Sequence, residues 1–571
     1  KQPSPFAKDF VSIFTLGDGS VNNGHYLSGE NLANFAAFRN HRVPLLTCIT
    51  DNGISISLRT HQYLQKSFLK RWQCKVIQAR GDNAVDLMLR SHEALAYVRS
   101  NRKPAVLLVT DITRRFGHAA TDRQAAYMTA DEIRRRQATC AVTSLCSELV
   151  NANLYTAAEI RTRLEELHEL TMDAFDTAHA EPKLSSREEL VDRVSAPLLP
   201  MQAPYTQPPF LELTPQTPVP NVVSSTTGIT GAAAHVMRKH MTKIFDDAMT
   251  SQPDIVYIGE DVQHGGYYMV TDGLDKKHPG RVQDFPPDET SLVGVGMGYR
   301  HSGLLPIVEI PYAKYLDCAM DMFTEACVMN FLSNGKQPNG MVFRLQGFAG
   351  GVFGGNYHTH NMLHMPPGFD VVCYSNGRDY ARGMRYAIQQ ARGGRVSMFV
   401  DCTELLNLRE VQRGVPWEMA YTADTEFCTY DDVFVYRGKA TTHEAAQVDA
   451  KRLLIVTYGN GVPLALQAQE QLLQENRLEV DVCDCPLLSS VPAGLEALVG
   501  SGAYDRVLFA DVCKEGQNPL SSHMVILMNR GKLGNGSIKS RCIAAPRTYN
   551  PLGNTLTFLN LHDIVRGVHE L

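Results

Sequence analysis

Asp18 stands between Gly17 and Gly19 in TLGDGSV, and Asn52 follows 34 residues later in TDNGIS. One carboxylate, one side-chain amide oxygen and a backbone carbonyl, completed by phosphate and water oxygens, make a typical octahedral magnesium site. The flanking glycines let the main chain come close to a ligand. Such a pair would hold a metal that in turn holds a diphosphate. A calcium loop starting at Asp18 fails, because Asn23 occupies the position that needs glycine and Gly29 the position that needs glutamate. A nucleotide P-loop needs GKS or GKT, which the chain lacks. A plain strand turn remains the alternative for either motif taken singly.

Both motifs need a strand behind them. The first part supplies VSIFTL, VPLLTCIT, CKVIQA and PAVLLVT, separated by helical stretches such as NLANFAAFRN and AVDLMLRSHEALAYVRS. Runs that are apolar throughout and spaced by helices indicate a parallel sheet covered on both faces. In such folds ligands bind at the carboxyl ends of the strands. A charged helical stretch ends near Pro182, and residues 195–225 are a proline-rich connector. The alternation resumes with DIVYIGEDV, LPIVEI, GMVFRL, FDVVCY and VSMFVD, then with RLLIVTYG, LEVDVCDC and RVLFADV. The expected fold is α/β, with three successive parallel-sheet units over residues 1–194, 226–430 and 431–571.

Bulk properties narrow the function. A chain of 571 residues predicts three or four domains at about 150 residues each. With 44% hydrophobic residues, 20% charged residues and a net charge of -5, there is no basic excess for nucleic acid. No apolar run approaches the roughly 18 residues of a membrane span. The 13 cysteines are scattered without a CxxC, which favours buried thiols over a disulfide framework or a zinc site. Cys483 and Cys485 form a CxC that strand alternation explains.

GDGS followed by DNG resembles the thiamine diphosphate motif, and other stretches narrow the match. RRFGHAATDRQAAYMTADEI (114–133) resembles the loop of the α subunit of the 2-oxo acid dehydrogenase decarboxylating component. IGEDV, DETSLVGVGMG, YAKYLDCAMDMFTEAC, GGNYHTHN and APRTYNPLG resemble its β subunit. The resemblance covers nearly the whole chain and implies α and β fused through the proline-rich connector. It implies thiamine diphosphate and magnesium as cofactors, with Asp18, Asn52 and the Ile54 carbonyl on the metal and Gly17, Gly19 and Ser20 at the diphosphate. The first unit would bind diphosphate, the second the pyrimidine, and the third would support dimerisation. Glu289 falls on the glutamate that hydrogen-bonds the aminopyrimidine and promotes ylide formation. An exposed acid capping the following helix is the alternative. Tyr315 matches the aromatic on the pyrimidine ring, and is otherwise a core residue. His118 and His358 match the two histidines that handle protons around the substrate carboxylate and the dihydrolipoyl thiol.

The implied activity is decarboxylation of a 2-oxo acid and reductive acylation of a lipoyl group on an acyltransferase component. The implied assembly is a homodimer with two sites, in a mitochondrial matrix or a bacterial cytoplasm, with neither nucleic acid nor membrane span. Tyr357 before His358 leans towards the branched-chain type. Three features depart from the family. The chain begins about one strand before GDG, where the α subunit has a long segment. The Asp18 to Asn52 spacing is slightly long, and Thr50 replaces a basic residue of the branched-chain enzymes. Ala119 and Ala126 stand where mitochondrial α subunits carry phosphorylated serines, so that switch is expected to be absent. Transketolase-type carbon transfer and a silent structural paralogue are the competing readings. RFGHAATD, absent from transketolases, argues against the first, and the intact Asp18, Asn52, Glu289, His118 and His358 argue against the second.

Overall fold

A computed structural model describes residues 7–71, 74–119, 122–194, 210–213, 234–348, 366–438, 452–476, 478–516, 518–533, 538–549 and 556–571. The chain divides into two compact units, Lys1–Ser186 and Arg187–Leu571.

In the first unit, β1 (Ser12–Gly17), β2 (Leu45–Thr50), β5 (Lys75–Arg80) and β6 (Ala105–Thr110) form one parallel sheet in the order β1-β2-β6-β5. A two-stranded hairpin, β3 (Ile54–Ser55) with β4 (Leu58–Arg59), follows β2. The central β6 explains the continuous apolar run AVLLVT. Ala105, Leu107 and Val109 pack on one face with Leu46, Ile77, Ala94 and Val98. Val106 and Leu108 pack on the other with Ile49, Val21, Leu64 and Phe68. A strand with a core on both faces has no polar side to show. The helix Ala84–Asn101 begins after Asn83, whose side chain accepts from the Asp86 amide at 2.9 Å, satisfying one of the donors a helix start leaves open.

The second unit holds two six-stranded sheets. One is parallel throughout, in the order Val282–Asp284, Ile255–Gly259, Leu305–Ile310, Met341–Gln346, Val396–Asp401, Phe369–Val372. Its covering helix Met237–Ser251 buries Met237, Met241, Ile244, Phe245 and Ala248, spaced three and four residues apart on one face. Of the glycines in GVGMG, Gly296 is the one that packs closely, since a Cβ there would lie 3.0 Å from Val308 Cγ2.

The other sheet runs Lys539–Ala545, Tyr504–Lys514, Arg452–Thr457, Val480–Asp484, Val433–Tyr436, Phe210–Leu213. It departs from the purely parallel expectation at one pairing, because Val433–Tyr436 is antiparallel to Val480–Asp484. A four-residue run buried throughout reads the same in either direction, so the pattern carries no sign of strand polarity. Phe210–Leu213, inside the proline-rich connector, pairs in parallel with Val433–Tyr436. All thirteen cysteines are free thiols, and the Cys373 and Cys402 thiols share a hydrogen bond at 3.7 Å rather than a disulfide. Among the described residues no helix is long and apolar enough to cross a membrane.

Candidate active site

Parallel pairing sets the first constellation. Gly17 lies opposite Thr50, and the Asp18 amide donates to the Thr50 carbonyl at 2.9 Å, so GDG and DNG leave the sheet side by side at the carboxyl ends of β1 and β2. Asp18 is 5% exposed, and its carboxylate accepts from the Thr60 hydroxyl at 2.7 Å. Burial raises its pKa, the Thr60 hydrogen bond opposes that, and the charge of Asp51 adds to it. Residues 51–54 fold as two successive side-chain turns. Asp51 Oδ1 accepts from the Gly53 amide at 2.8 Å and Asn52 Oδ1 from the Ile54 amide at 3.0 Å. The hairpin then folds down on GDG so closely that a Cβ on Gly19 would lie 2.5 Å from Ser55 Oγ.

These residues fit a hard cation. Among the described residues no cluster of three or more His, Cys, Asp or Glu side chains is arranged to hold a metal. A site of one carboxylate, one amide oxygen and one carbonyl instead offers oxygen donors alone, as magnesium prefers, and leaves positions for phosphate and water. A cation there would offset the burial that disfavours the charged form of Asp18. Beside the turn a cleft of about 210 Å³ opens between Asp51, Asn52, His61, Gln65 and Arg136.

His118 is exposed on a loop organised by one acid. Asp122 Oδ2 accepts from the His118 amide at 2.6 Å, the Tyr127 hydroxyl at 2.8 Å and Arg114 Nη2 at 3.2 Å. Arg114 also donates to the Ile56 carbonyl at 3.0 Å. The His118 amide, then the Tyr127 hydroxyl, hold the Asp122 carboxyl below its ordinary range. Sequence reasoning missed Asp122 and Arg114, although opposite charges eight residues apart around GH are a signal for a closed loop.

In the second unit, Glu289 is the first residue of the helix Glu289–His301. It is not the cap: that position is Asp288, whose carboxylate accepts from the Ser291 hydroxyl at 2.6 Å. Burial raises the Glu289 pKa, and Asp288 adds to this. Glu260, at the end of Ile255–Gly259, is pushed up to about 7 by burial and then by the charges of Glu289, Asp261 and Glu309. The fold therefore gathers Glu289, Glu260 and Glu309, of which the sequence had singled out the first alone. Tyr315 packs edge-on against Tyr312 at 5.6 Å, and Tyr312 against Tyr267 at 5.4 Å. His358 and Tyr357 lie outside the described residues.

Beneath these acids runs a buried charge network. The Arg344 Nη1 donates to Glu309 Oε2 at 2.5 Å and to the Tyr257 hydroxyl at 2.8 Å, its Nε to Asp401 Oδ2 at 2.6 Å, and Tyr257 to Glu309. Glu309 and Arg344 are opposite residues on neighbouring strands. Burial pushes Asp401 up to about 7, against the pull of Arg344. The sequence signal was present: single charges inside LPIVEI, MVFRLQ and VSMFVD, in strands buried throughout.

Residues 6–187 match the family described as Dehydrogenase E1 component, and residues 234–405 the Transketolase, pyrimidine binding domain. The chain is 29% identical over 264 residues to the pyruvate dehydrogenase E1 component subunit beta-1, mitochondrial, of Arabidopsis thaliana, covering 44% of this chain and 66% of that subunit. It is 28% identical over 276 residues to the 2-oxoisovalerate dehydrogenase subunit beta of Pseudomonas aeruginosa, covering 46% and 74%. It is also 28% identical over 264 residues to the acetoin:2,6-dichlorophenolindophenol oxidoreductase subunit beta of Cupriavidus necator, covering 44% and 71%. In fold it is similar to transketolases from Leishmania mexicana (TM-score 0.55, 13% identity, 98% of this chain and 75% of that one) and Pichia stipitis (0.57, 14%, 98% and 76%).

Proposed function

We propose, from a chain that joins an E1 dehydrogenase region to a β-subunit-like region of the thiamine diphosphate-dependent 2-oxo acid dehydrogenases, that it decarboxylates a 2-oxo acid and passes the acyl group to a lipoyl group of an acyltransferase component. The observation that carries this is the oxygen-lined turn, with Asp18 and Asn52 side by side at the ends of two paired parallel strands.

Asp18, the Asn52 side chain and the Ile54 carbonyl would hold magnesium, and Gly17, Gly19 and Ser20 would let diphosphate oxygens approach the main chain. Glu289 would hydrogen-bond the aminopyrimidine, and burial raises its carboxyl above the ordinary range. Tyr315 would pack on that ring. His118 would hold a proton at the substrate carboxylate, on a loop whose shape Asp122 sets, and His358 would do so at the dihydrolipoyl thiol. Bound thiamine diphosphate supplies the electron sink for decarboxylation, and the protein supplies binding and orientation. The assembly is read as a homodimer with two sites.

The test is turnover with thiamine diphosphate, magnesium and a panel of 2-oxo acids, followed by an artificial electron acceptor and then by acylation of a lipoyl domain. Turnover of sugar phosphates in place of 2-oxo acids would shift the reading to transketolase-type carbon transfer. No turnover of either would favour the silent paralogue.

A further inference from the structure

The hairpin that follows Asn52 is gripped from both sides by one helix, Ala130–Ala138, which comes directly after the His118 loop. Arg136 Nη1 donates to the Asn52 carbonyl at 2.8 Å, and Arg136 Nε donates to Glu132 Oε1 at 3.3 Å. The other side of Glu132 meets Arg59, whose Nη2 donates to Oε2 at 2.9 Å and whose Nη1 reaches Oε1. Arg59 is the cross-strand partner of Ile54, and its Nη2 also donates to the Tyr127 carbonyl at 3.2 Å. One glutamate thus joins two arginines, one holding the peptide of Asn52 and the other holding the strand opposite Ile54.

An isolated surface ion pair contributes little. This arrangement differs in two ways. The side chains of Glu132 and Arg136 are 19% and 23% exposed, and both arginines also donate to main-chain carbonyls rather than closing on the acid alone. A guanidinium on the Asn52 carbonyl fixes the tilt of the Asn52–Gly53 peptide, and that peptide lies between the amide side chain and the Ile54 carbonyl. Two of the three proposed metal donors therefore take their direction from it. Arg59 holds Glu132 down at about 2, so the clamp keeps its negative centre across ordinary pH.

We propose that Arg136 and Glu132, with Arg59, are positioning residues for the metal, clamping the Asn52–Arg59 turn so that its two oxygen donors are aimed before the cation arrives. This rests on the reading that Asp18, Asn52 and Ile54 hold magnesium. Preorganised donors lose less conformational freedom on binding, so the clamp acts on metal affinity. Because Arg59 also holds Tyr127, the same clamp ties the turn to the end of the loop that carries His118.

Two measurements on the full chain test it, hydrogen exchange without cofactor and calorimetric titration of magnesium at saturating thiamine diphosphate. Arg136→Met keeps an unbranched apolar stem and removes every donor. Exchange at the Gly53, Ile54 and Thr60 amides is expected to accelerate about fivefold or more. Half-saturating magnesium is expected to rise about tenfold, with the unfolding midpoint shifted by no more than about 2 °C. Arg136→Lys, which retains a donor for the carbonyl, is expected to recover most of the magnesium affinity. Arg59→Met should act in the same direction, and its combination with Arg136→Met should be less than additive. Wild-type exchange and magnesium affinity in Arg136→Met and Arg59→Met would overturn the proposal. So would equal losses in the Met and Lys variants of Arg136. If the unaltered protein binds no thiamine diphosphate with magnesium, the metal reading fails, while the exchange measurement still decides whether the clamp exists.

Discussion

Replacing Arg344 by Met removes one positive charge from between two buried carboxyls and leaves a shorter, unbranched, uncharged side chain. Arg344, Glu309 and Asp401 all have side chains of 0% exposure, so no water takes over from the guanidinium. The stranded Asp401 carboxyl has one escape, to bind a proton. For a carboxyl of ordinary pKa near 4 this costs about 1.4 kcal/mol per pH unit above that value, hence about 5 kcal/mol at pH 8 and about 2 kcal/mol at pH 5.5. Asp401 already titrates at about 7 in the folded chain, above its unfolded value. Its neutral form favours folding, fully so below pH about 4, and that stability is lost as pH rises through about 7. Without Arg344 the loss extends to higher pH for Asp401. Breaking a buried pair costs about 3–5 kcal/mol, which sets the expectation at pH 8. At pH 5.5 the loss should shrink to about 1–2 kcal/mol, because protonation is cheap there and Asp401 is already neutral. Urea unfolding of the unaltered chain and of Arg344→Met at both values checks this, and adding Glu309→Gln to Arg344→Met should recover stability at pH 8. A loss that is the same at both pH values, or below about 1 kcal/mol at pH 8, would refute the reasoning.

Asp18→Ala should abolish magnesium-dependent cofactor binding while the fold persists, since it removes the one carboxylate among the proposed ligands; calorimetry and circular dichroism report both. Glu289→Gln should leave the cofactor bound but slow exchange of the thiazolium proton, followed by NMR, because an amide cannot serve as the carboxylate partner. Cys140 is pulled down to about 6 by the Thr143 hydroxyl and amide and by Arg115, which reaches its sulfur at 2.8 Å. Its alkylation by iodoacetamide at pH 7 should be slower in Arg115→Ala than in the unaltered chain, as mass spectrometry of the labelled peptide reports. A kinase acting on the mitochondrial α-subunit loop should leave the 114–133 peptide unmodified. Ala119 and Ala126 offer no acceptor, and the Thr129 hydroxyl is engaged by the Glu132 amide at 3.2 Å. Phosphate on Thr121 or Thr129 with lost activity would overturn that expectation.

The two oxygen-bearing turns and most strands behind them were legible in the sequence. A parallel sheet buried on both faces leaves uninterrupted apolar runs, and glycine beside an acid at the end of such a run marks where main chain and ligand meet. That reasoning placed Asp18 and Asn52 at neighbouring strand ends, as the pairing of Gly17 with Thr50 shows. Strand polarity was not legible, because VFVY is equally apolar in both directions, and Val433–Tyr436 runs against its neighbour. The partners of the proposed site residues were not legible either. Asp122 organises the His118 loop, Glu260 shares the charge of Glu289, and Arg136 holds the Asn52 carbonyl across 84 residues of chain. Local pattern reports what a residue's own strand or helix buries. Which distant charge lies beside it depends on the register and crossing of elements far apart in sequence, and only the tertiary structure decides that.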